Sequence, residues 1–369
     1  MGQDGRRSES VRERLDDLPP SSKFIYTVLE YNGRLSQKEI IQETMLAPRT
    51  TRYGLSKLEE ANLVESRAAL HDARQTCYAP RSTARGGSPH EYASDVIVEV
   101  DWVADNTEVL RSDESEYRLV QIPTERDGSE RIPGSLRLDQ VVPDDRRGVP
   151  DRAHLASVLG DSGITPETSV VLYSTDQNRM AAYVYWILRY FGHRNLSLLN
   201  GGFDAWSAAD GHLTEDEPSV AAREYDINGT IEQVRAYRDD VVRALTQDAT
   251  ILDVRNPSED RTDAADGSVT GTQADGRIPG SINVPWYEVF ADDGRFRPQS
   301  ELAQLFEERG IEPDDAVIAY CNIGERSALV WFVLQELLGY SAVKNYDGSW
   351  TEWGNLVDVP IEQEPESTG

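Results

Sequence analysis

The spacing of apolar and polar positions changes period along the chain. Near the start, Phe24, Ile25, Val28 and Leu29 recur at helical spacing behind Ser21 and Ser22, and Gly33 closes the run. A second helix is predicted from Ser36, where Glu39 three residues on completes a capping box and Ile40 and Ile41 supply the apolar face. After Leu46-Ala47-Pro48 a third helix spans about 49–61, with Tyr53, Leu55 and Leu58 facing inward. Two short β-like runs follow, 65–70 and 75–78, joined by His71-Asp72-Ala73-Arg74. Farther on, β-branched runs such as 250–254 and 316–320 are interleaved with amphipathic stretches such as 300–309 and 327–338. Such alternation predicts an α/β architecture, a parallel sheet covered by helices on both faces, with ligand chemistry at the carboxyl ends of its strands.

The long second part of the chain is a tandem duplication. The segment from Val170 to Ala181, containing Tyr173-Ser174-Thr175-Asp176-Gln177-Asn178-Arg179, aligns without a gap to Val317 to Ala328, containing Tyr320-Cys321-Asn322-Ile323-Gly324-Glu325-Arg326. Upstream, Arg131-Ile132-Pro133-Gly134-Ser135 recurs as Arg277-Ile278-Pro279-Gly280-Ser281, and downstream Gly202-Phe203-Asp204-Ala205-Trp206 is echoed by the stretch ending Trp350-Thr351-Glu352-Trp353.

Charge separates the first part from the rest. Residues 1–90 hold 14 basic and 12 acidic side chains, net +2, whereas 91–369 hold 23 and 53, net −30, within an overall −28. The acids are spread through periodic apolar segments, which predicts a folded, heavily solvated surface rather than a disordered tail. Lysine occurs only at Lys23, Lys38, Lys57 and Lys344, so the composition is similar to that of salt-adapted organisms. Only two cysteines, Cys77 and Cys321, exclude a disulfide-stapled scaffold, and neither has zinc-ligand neighbours, so no metal is expected. Residues 1–17 lack the apolar core of a leader and no run is long enough to cross a bilayer, giving a cytoplasmic expectation with no membrane partner. Cys77, in an apolar run beside Tyr78, reads as core packing.

The candidate chemistry sits after the strand 317–320. That apolar strand delivers Cys321 to the short loop Asn322, Ile323, Gly324, Glu325, Arg326, which turns directly into a helix at Ser327. A loop this short, tightened by glycine, can point several N–H groups inward as an anion nest with the helix dipole behind it. Both effects favour a thiolate or a terminal persulfide, with Arg326 adding positive charge and Ser327 a hydroxyl donor. The last histidine is His212, so the second repeat has no Cys–His dyad and activation of Cys321 must be electrostatic.

With these residues in view, the two repeats resemble tandem rhodanese domains, similar to the two-domain thiosulfate sulfurtransferases. The resemblance covers about 92–365 and is carried by Asp253-Val254-Arg255, the Ile-Pro-Gly turns, the Cys321 loop and Lys344-Asn345-Tyr346-Asp347-Gly348-Ser349-Trp350. It implies that the cysteine takes a sulfane sulfur from a small anionic donor and passes it to cyanide or a thiol, without a cofactor. It also implies that the first copy, with Ser174 in the cysteine's place, is non-catalytic. The first part resembles a winged helix-turn-helix over 19–80, which implies DNA contact by Arg49, Thr50, Thr51, Arg52 and Lys57 on the third helix and by Arg74 on the wing. The expected order is then a flexible 1–18, the winged helix 19–80, a turn-rich linker 81–91, a first rhodanese-like domain 92–215 and a catalytic second one 225–365.

Departures from the family pattern bear on the donor. Asn322 stands where a basic residue often adjoins the cysteine, Arg277 replaces the usual histidine of the turn, and 260–276 is an acidic, glycine-rich insertion. Arg255, Arg277 and Arg326 are the candidates to bind an anionic donor, Arg255 being equally readable as a structural ion-pair partner. Two other functions compete. Cysteine phosphatases place five residues between Cys and Arg to cradle a phosphate, against four here, and the tighter loop suits one sulfur atom. A sulfur-responsive transcriptional regulator, using the repeats as sensor, is the reading that the fused N-terminal domain motivates.

Overall fold

The computed structural model describes residues 15, 18–32, 35–61, 63–68, 76–80, 92–125, 127–142, 148–247, 249–260 and 274–363. Arg74, the expected linker and most of the acidic insertion lie outside them. The chain forms two compact units, 1–85 and 86–369.

In the first unit, helices Pro20–Asn32, Gln37–Thr44 and Pro48–Glu60 accompany an antiparallel sheet of β1 (Leu35–Ser36), β2 (Val64–Ala68) and β3 (Thr76–Pro80), in the order β1-β3-β2. The Ser36 capping box forms as expected: Ser36 Oγ accepts from the Glu39 N–H at 3.3 Å, and Glu39 Oε2 accepts from the Ser36 N–H at 2.6 Å. Ile25, Leu29, Ile40, Leu55 and Leu58 make the core. Two expectations on the third helix need correction. Tyr53 faces solvent at 53% exposure, whereas Thr51, assigned above to DNA contact, is fully buried with its hydroxyl donated to the Ala47 carbonyl at 3.3 Å. The buried stripe is 51, 54, 55 and 58, one residue in three or four, so Thr51 belongs to the inward face. Arg49 and Arg52 are exposed, and Thr50 and Lys57 are half-buried, Lys57 being paired with Glu60.

The second unit contains two five-stranded sheets, parallel throughout and identical in topology. The first has the order β6-β5-β7-β8-β4, from β4 (Ile97–Val98), β5 (Tyr117–Gln121), β6 (Ser135–Arg137), β7 (Ser169–Tyr173) and β8 (Leu196–Leu199). The second repeats it as β11-β10-β12-β13-β9, from β9 (Arg235–Ala236), β10 (Thr250–Asp253), β11 (Ile282–Asn283), β12 (Ala316–Tyr320) and β13 (Ala342–Tyr346). In both copies the tyrosine ending the central strand ties down the Ile-Pro-Gly turn. Tyr173 Oη accepts from the Ile132 N–H at 3.1 Å, and Tyr320 Oη from the Ile278 N–H at 3.2 Å.

One face of each sheet packs on its own cluster, around Trp102 and Trp206 in the first and around Trp350 and Trp353 in the second. The other faces share one core, in which helix Arg179–Tyr190 of the first repeat lies against helix Glu325–Phe332 of the second. The first of these helices is buried on every side from Met180 to Leu188, as a helix sandwiched between two domains must be. Tyr185 meets Phe332 edge-on at 4.9 Å between ring centres. The helix that opens at Glu325 continues beyond Phe332 as a π-helical turn, Val333–Leu337, carrying buried Glu336 to Arg189 of the first repeat at 3.2 Å.

Candidate active site

The strand β12 lies between β10 and β13, and every residue from Val317 onward is buried. Cys321 follows it directly and is itself fully buried. The turn back into helix Glu325–Phe332 needs Gly324, whose φ of +93° is left-handed; a Cβ there would sit 2.8 Å from Asp347 Cα and 2.9 Å from its carbonyl oxygen. That conformation aims the Gly324 N–H at Cys321 Sγ, 3.2 Å away, with the Ser327 hydroxyl at 3.6 Å. Burial opposes the thiolate, yet the Arg326 guanidinium, the Ser327 N–H and hydroxyl and the Ile323 N–H outweigh it, so the thiol titrates below its ordinary value.

The loop is braced from its neighbours by residues that the sequence reading passed over. Ser349 accepts the Cys321 N–H at 3.1 Å and donates its hydroxyl to the Tyr346 carbonyl at 2.7 Å. The Trp350 and Thr351 N–H groups donate to the carbonyls of Cys321 and Asn322, and Asn345 Nδ2 donates to the Gly324 carbonyl at 3.2 Å. Glu259, with a side chain only 3% exposed, takes Arg326 Nη1 at 2.5 Å and Nη2 at 2.8 Å, and accepts Asn322 Nδ2 at 2.8 Å. Ser349 and Asn345 lie in the run 344–350 that carried the family resemblance, though no role was read for either. Glu259 stands at the edge of the acidic insertion, where nothing distinguished it from the solvated acids.

The three candidate arginines have separate surroundings. Arg326 lines the Cys321 loop while held by Glu259. Arg255 is fully buried, its Nη2 bonded to Asp253 Oδ2 at 2.6 Å and to the Gly276 carbonyl at 3.0 Å, with the guanidinium over the Tyr320 and Trp350 rings at 5.4 and 4.9 Å. Arg277 is paired with Glu362, across an antiparallel bridge that closes the domain. Beside the loop opens a cavity of ≈ 550 Å³, into which Asp347, Gly348, Arg235, Tyr237 and Arg238 contribute. Arg235 forks onto Asp347 at 3.0 and 2.8 Å; burial keeps the Asp347 carboxyl above its usual range in spite of that pair.

The equivalent loop of the first repeat is filled by its own side chains. Ser174 Oγ donates to Asp176 Oδ1 at 2.6 Å, the Met180 N–H reaches the same oxygen at 3.3 Å, and Asn178 Oδ1 accepts the Ser174 N–H at 3.1 Å. A carboxylate thus takes up the loop's donors where the second repeat presents them to sulfur. Among the described residues no group of three His, Cys, Asp or Glu could hold a metal ion, and no helix is long and apolar enough to cross a membrane.

Comparison with known proteins agrees with this geometry. A Haloferax volcanii protein provisionally named thiosulfate sulfurtransferase is 42% identical over 283 residues, spanning 75% of this chain and 99% of its own length. The sulfur carrier protein TtuD of Thermus thermophilus is 39% identical over 282 residues, spanning 72% of this chain and 96% of its own. Among solved structures, the anaerobic ergothioneine biosynthesis enzyme from Chlorobium limicola shares the fold, with a TM-score of 0.62 at 23% identity over 73% of this chain and 70% of that one. The rhodanese-like domain description matches twice, over 110–209 and 238–356, one match on each of the duplicated sheets, and the chain therefore belongs to the rhodanese-like family.

Proposed function

We propose that this chain is a sulfurtransferase in which Cys321 carries a sulfane sulfur as a persulfide. The observation that carries the reading is the buried Sγ at a strand end, with the Gly324 N–H 3.2 Å away and the Ser327 hydroxyl at 3.6 Å. In the first half-reaction the Cys321 thiolate attacks the outer sulfur of thiosulfate; the sulfur–sulfur bond breaks and its electron pair leaves with sulfite. The new terminal sulfur, an anion at neutral pH, takes over the loop donors. In the second half-reaction cyanide or a thiol attacks that sulfur, the Cys321 thiolate departs, and thiocyanate or an acceptor persulfide is released. Arg326 supplies the charge that favours an anionic donor. Arg277, tied to Glu362, contributes to the domain's closure instead.

The test is sulfite release from thiosulfate in the presence of cyanide, run beside pyruvate release from 3-mercaptopyruvate, with Cys321→Ser as the blank. Turnover with one donor, a one-sulfur mass gain confined to the Cys321 peptide and loss of both in the variant are expected. Turnover unchanged in Cys321→Ser would overturn the assignment.

A further inference from the structure

Two carboxylates occupy equivalent places in the repeats. Glu259 stands six residues beyond Asp253, which ends β10, and Asp127 stands six residues beyond Gln121, which ends β5. Asp253 and Gln121 are themselves equivalent, being in register with Tyr320 and Tyr173. Each carboxylate first closes its own turn: Glu259 Oε1 accepts the Asn256 N–H at 2.9 Å, and Asp127 Oδ2 the Thr124 N–H at 3.0 Å. Each then reaches across to the second residue of the facing loop, Glu259 to Asn322 Nδ2 at 2.8 Å and Asp127 to Thr175 Oγ1 at 2.5 Å.

The copies part at the arginine. Arg326 and Arg179 are equivalent in the repeat alignment. Arg179 lies 3.5 Å from Asp176 of its own loop and 5.3 Å over the Trp286 ring. Arg326 is instead forked onto Glu259, which is one methylene longer than aspartate, and this leaves the loop interior to sulfur. Burial disfavours the charged guanidinium, but the hydrogen bond and charge of Glu259, with the charge of the Cys321 sulfur, hold Arg326 above the ordinary arginine value, and Arg326 in turn lowers the Cys321 thiol.

We propose that Glu259 is the positioning residue of the site: by tethering Arg326 it sets the ionisation of Cys321, while its contact with Asn322 is the loop-framing role it shares with Asp127. Arginine loses much side-chain entropy when fixed, so an untethered Arg326 spends its time in solvent and its field at sulfur is screened. Glu259 touches neither sulfur nor donor and acts through its neighbour. The inference rests on the proposed thiolate chemistry, but its test needs no sulfur donor.

The full-length chain in a Cys77→Ser background is titrated by the ultraviolet absorbance of the Cys321 thiolate. Arg326→Ala and Glu259→Ala should each raise the midpoint by about one pH unit, and the double variant should go no higher than either. Glu259→Asp, with the reach of Asp127, should keep the unfolding temperature near that of the parent yet raise the midpoint as Glu259→Ala does. A midpoint unmoved by Glu259→Asp, or shifts that add in the double variant, would overturn the proposal. Absence of sulfur transfer in the parent would overturn the preceding reading and leave this one standing.

Discussion

The Asp253–Arg255 pair shows how one residue type at one spacing serves two chemistries. From the sequence alone, Arg255 at a strand end was open to donor binding or to a structural ion pair. Its guanidinium lies between two rings, wholly removed from water, and Asp253 also accepts the Tyr320 hydroxyl at 2.6 Å, so the pair joins β10 to β12 and the C-terminal Trp350. Replacing Arg255 by methionine fills the space and strands the carboxylate. Breaking one side of such a buried pair costs about 3–5 kcal/mol, read by denaturant unfolding, and under the proposed function the KM for thiosulfate in the folded fraction should stay at the parent value. A donor-binding Arg255 would show the reverse, a raised KM with stability kept. Burial, the deciding quantity, is a tertiary property that a run of letters does not record; Thr51 misled for the same reason, its polarity suggesting a surface its helical phase denies.

At the scale of elements, period and punctuation were readable. The central strand 316–320 has the expected bounds and the Ser36 capping box closes, but the loop expected to run to Arg326 ends at Gly324 and the helix opens at Glu325, two residues before Ser327. Less was legible where geometry depends on a neighbour: the helix expected over 327–338 switches at Val333 to a wider turn that takes Glu336 to Arg189, and nothing local marks that switch. Gly324 is where element geometry and chemistry meet. A methyl group there meets Asp347 backbone at 2.8 Å, which cannot swing aside as a side chain would, so the loop itself has to move. Under the proposed function, Gly324→Ala should lose about 100-fold in kcat/KM, the cost of displacing a positioned nucleophile by about 1 Å. Circular dichroism and the unfolding temperature should change little, because the strand and helix on either side remain packed.

The repeats were legible as a duplication, but their fusion into one shared core was not, since self-alignment shows what is alike and not what is pressed together. The connection between them is fastened to the first repeat at several points: the Arg223 N–H donates to the Gly160 carbonyl, the Ile231 N–H to the Tyr190 carbonyl, and the Tyr225 hydroxyl meets His193 Nδ1 at 2.8 Å. Burial holds His193 neutral, its pKa lowered to about 4 despite the hydrogen bond of Nε2 to the Thr168 carbonyl. Unfolding restores the ordinary value near 6.5, so the stabilisation is complete above that pH and is lost as the pH falls toward about 4. Between pH 7 and 5 the parent should lose about 2 kcal/mol by this route, and His193→Gln, which cannot charge, should show that much less slope. The first copy's loop, occupied by Asp176, has a further consequence under the proposed function. With one berth per molecule, loading and unloading must alternate in time, and donor and recipient contend for the same doorway. Each chain then travels with at most a single atom of cargo, and a surplus of either visitor slows the other.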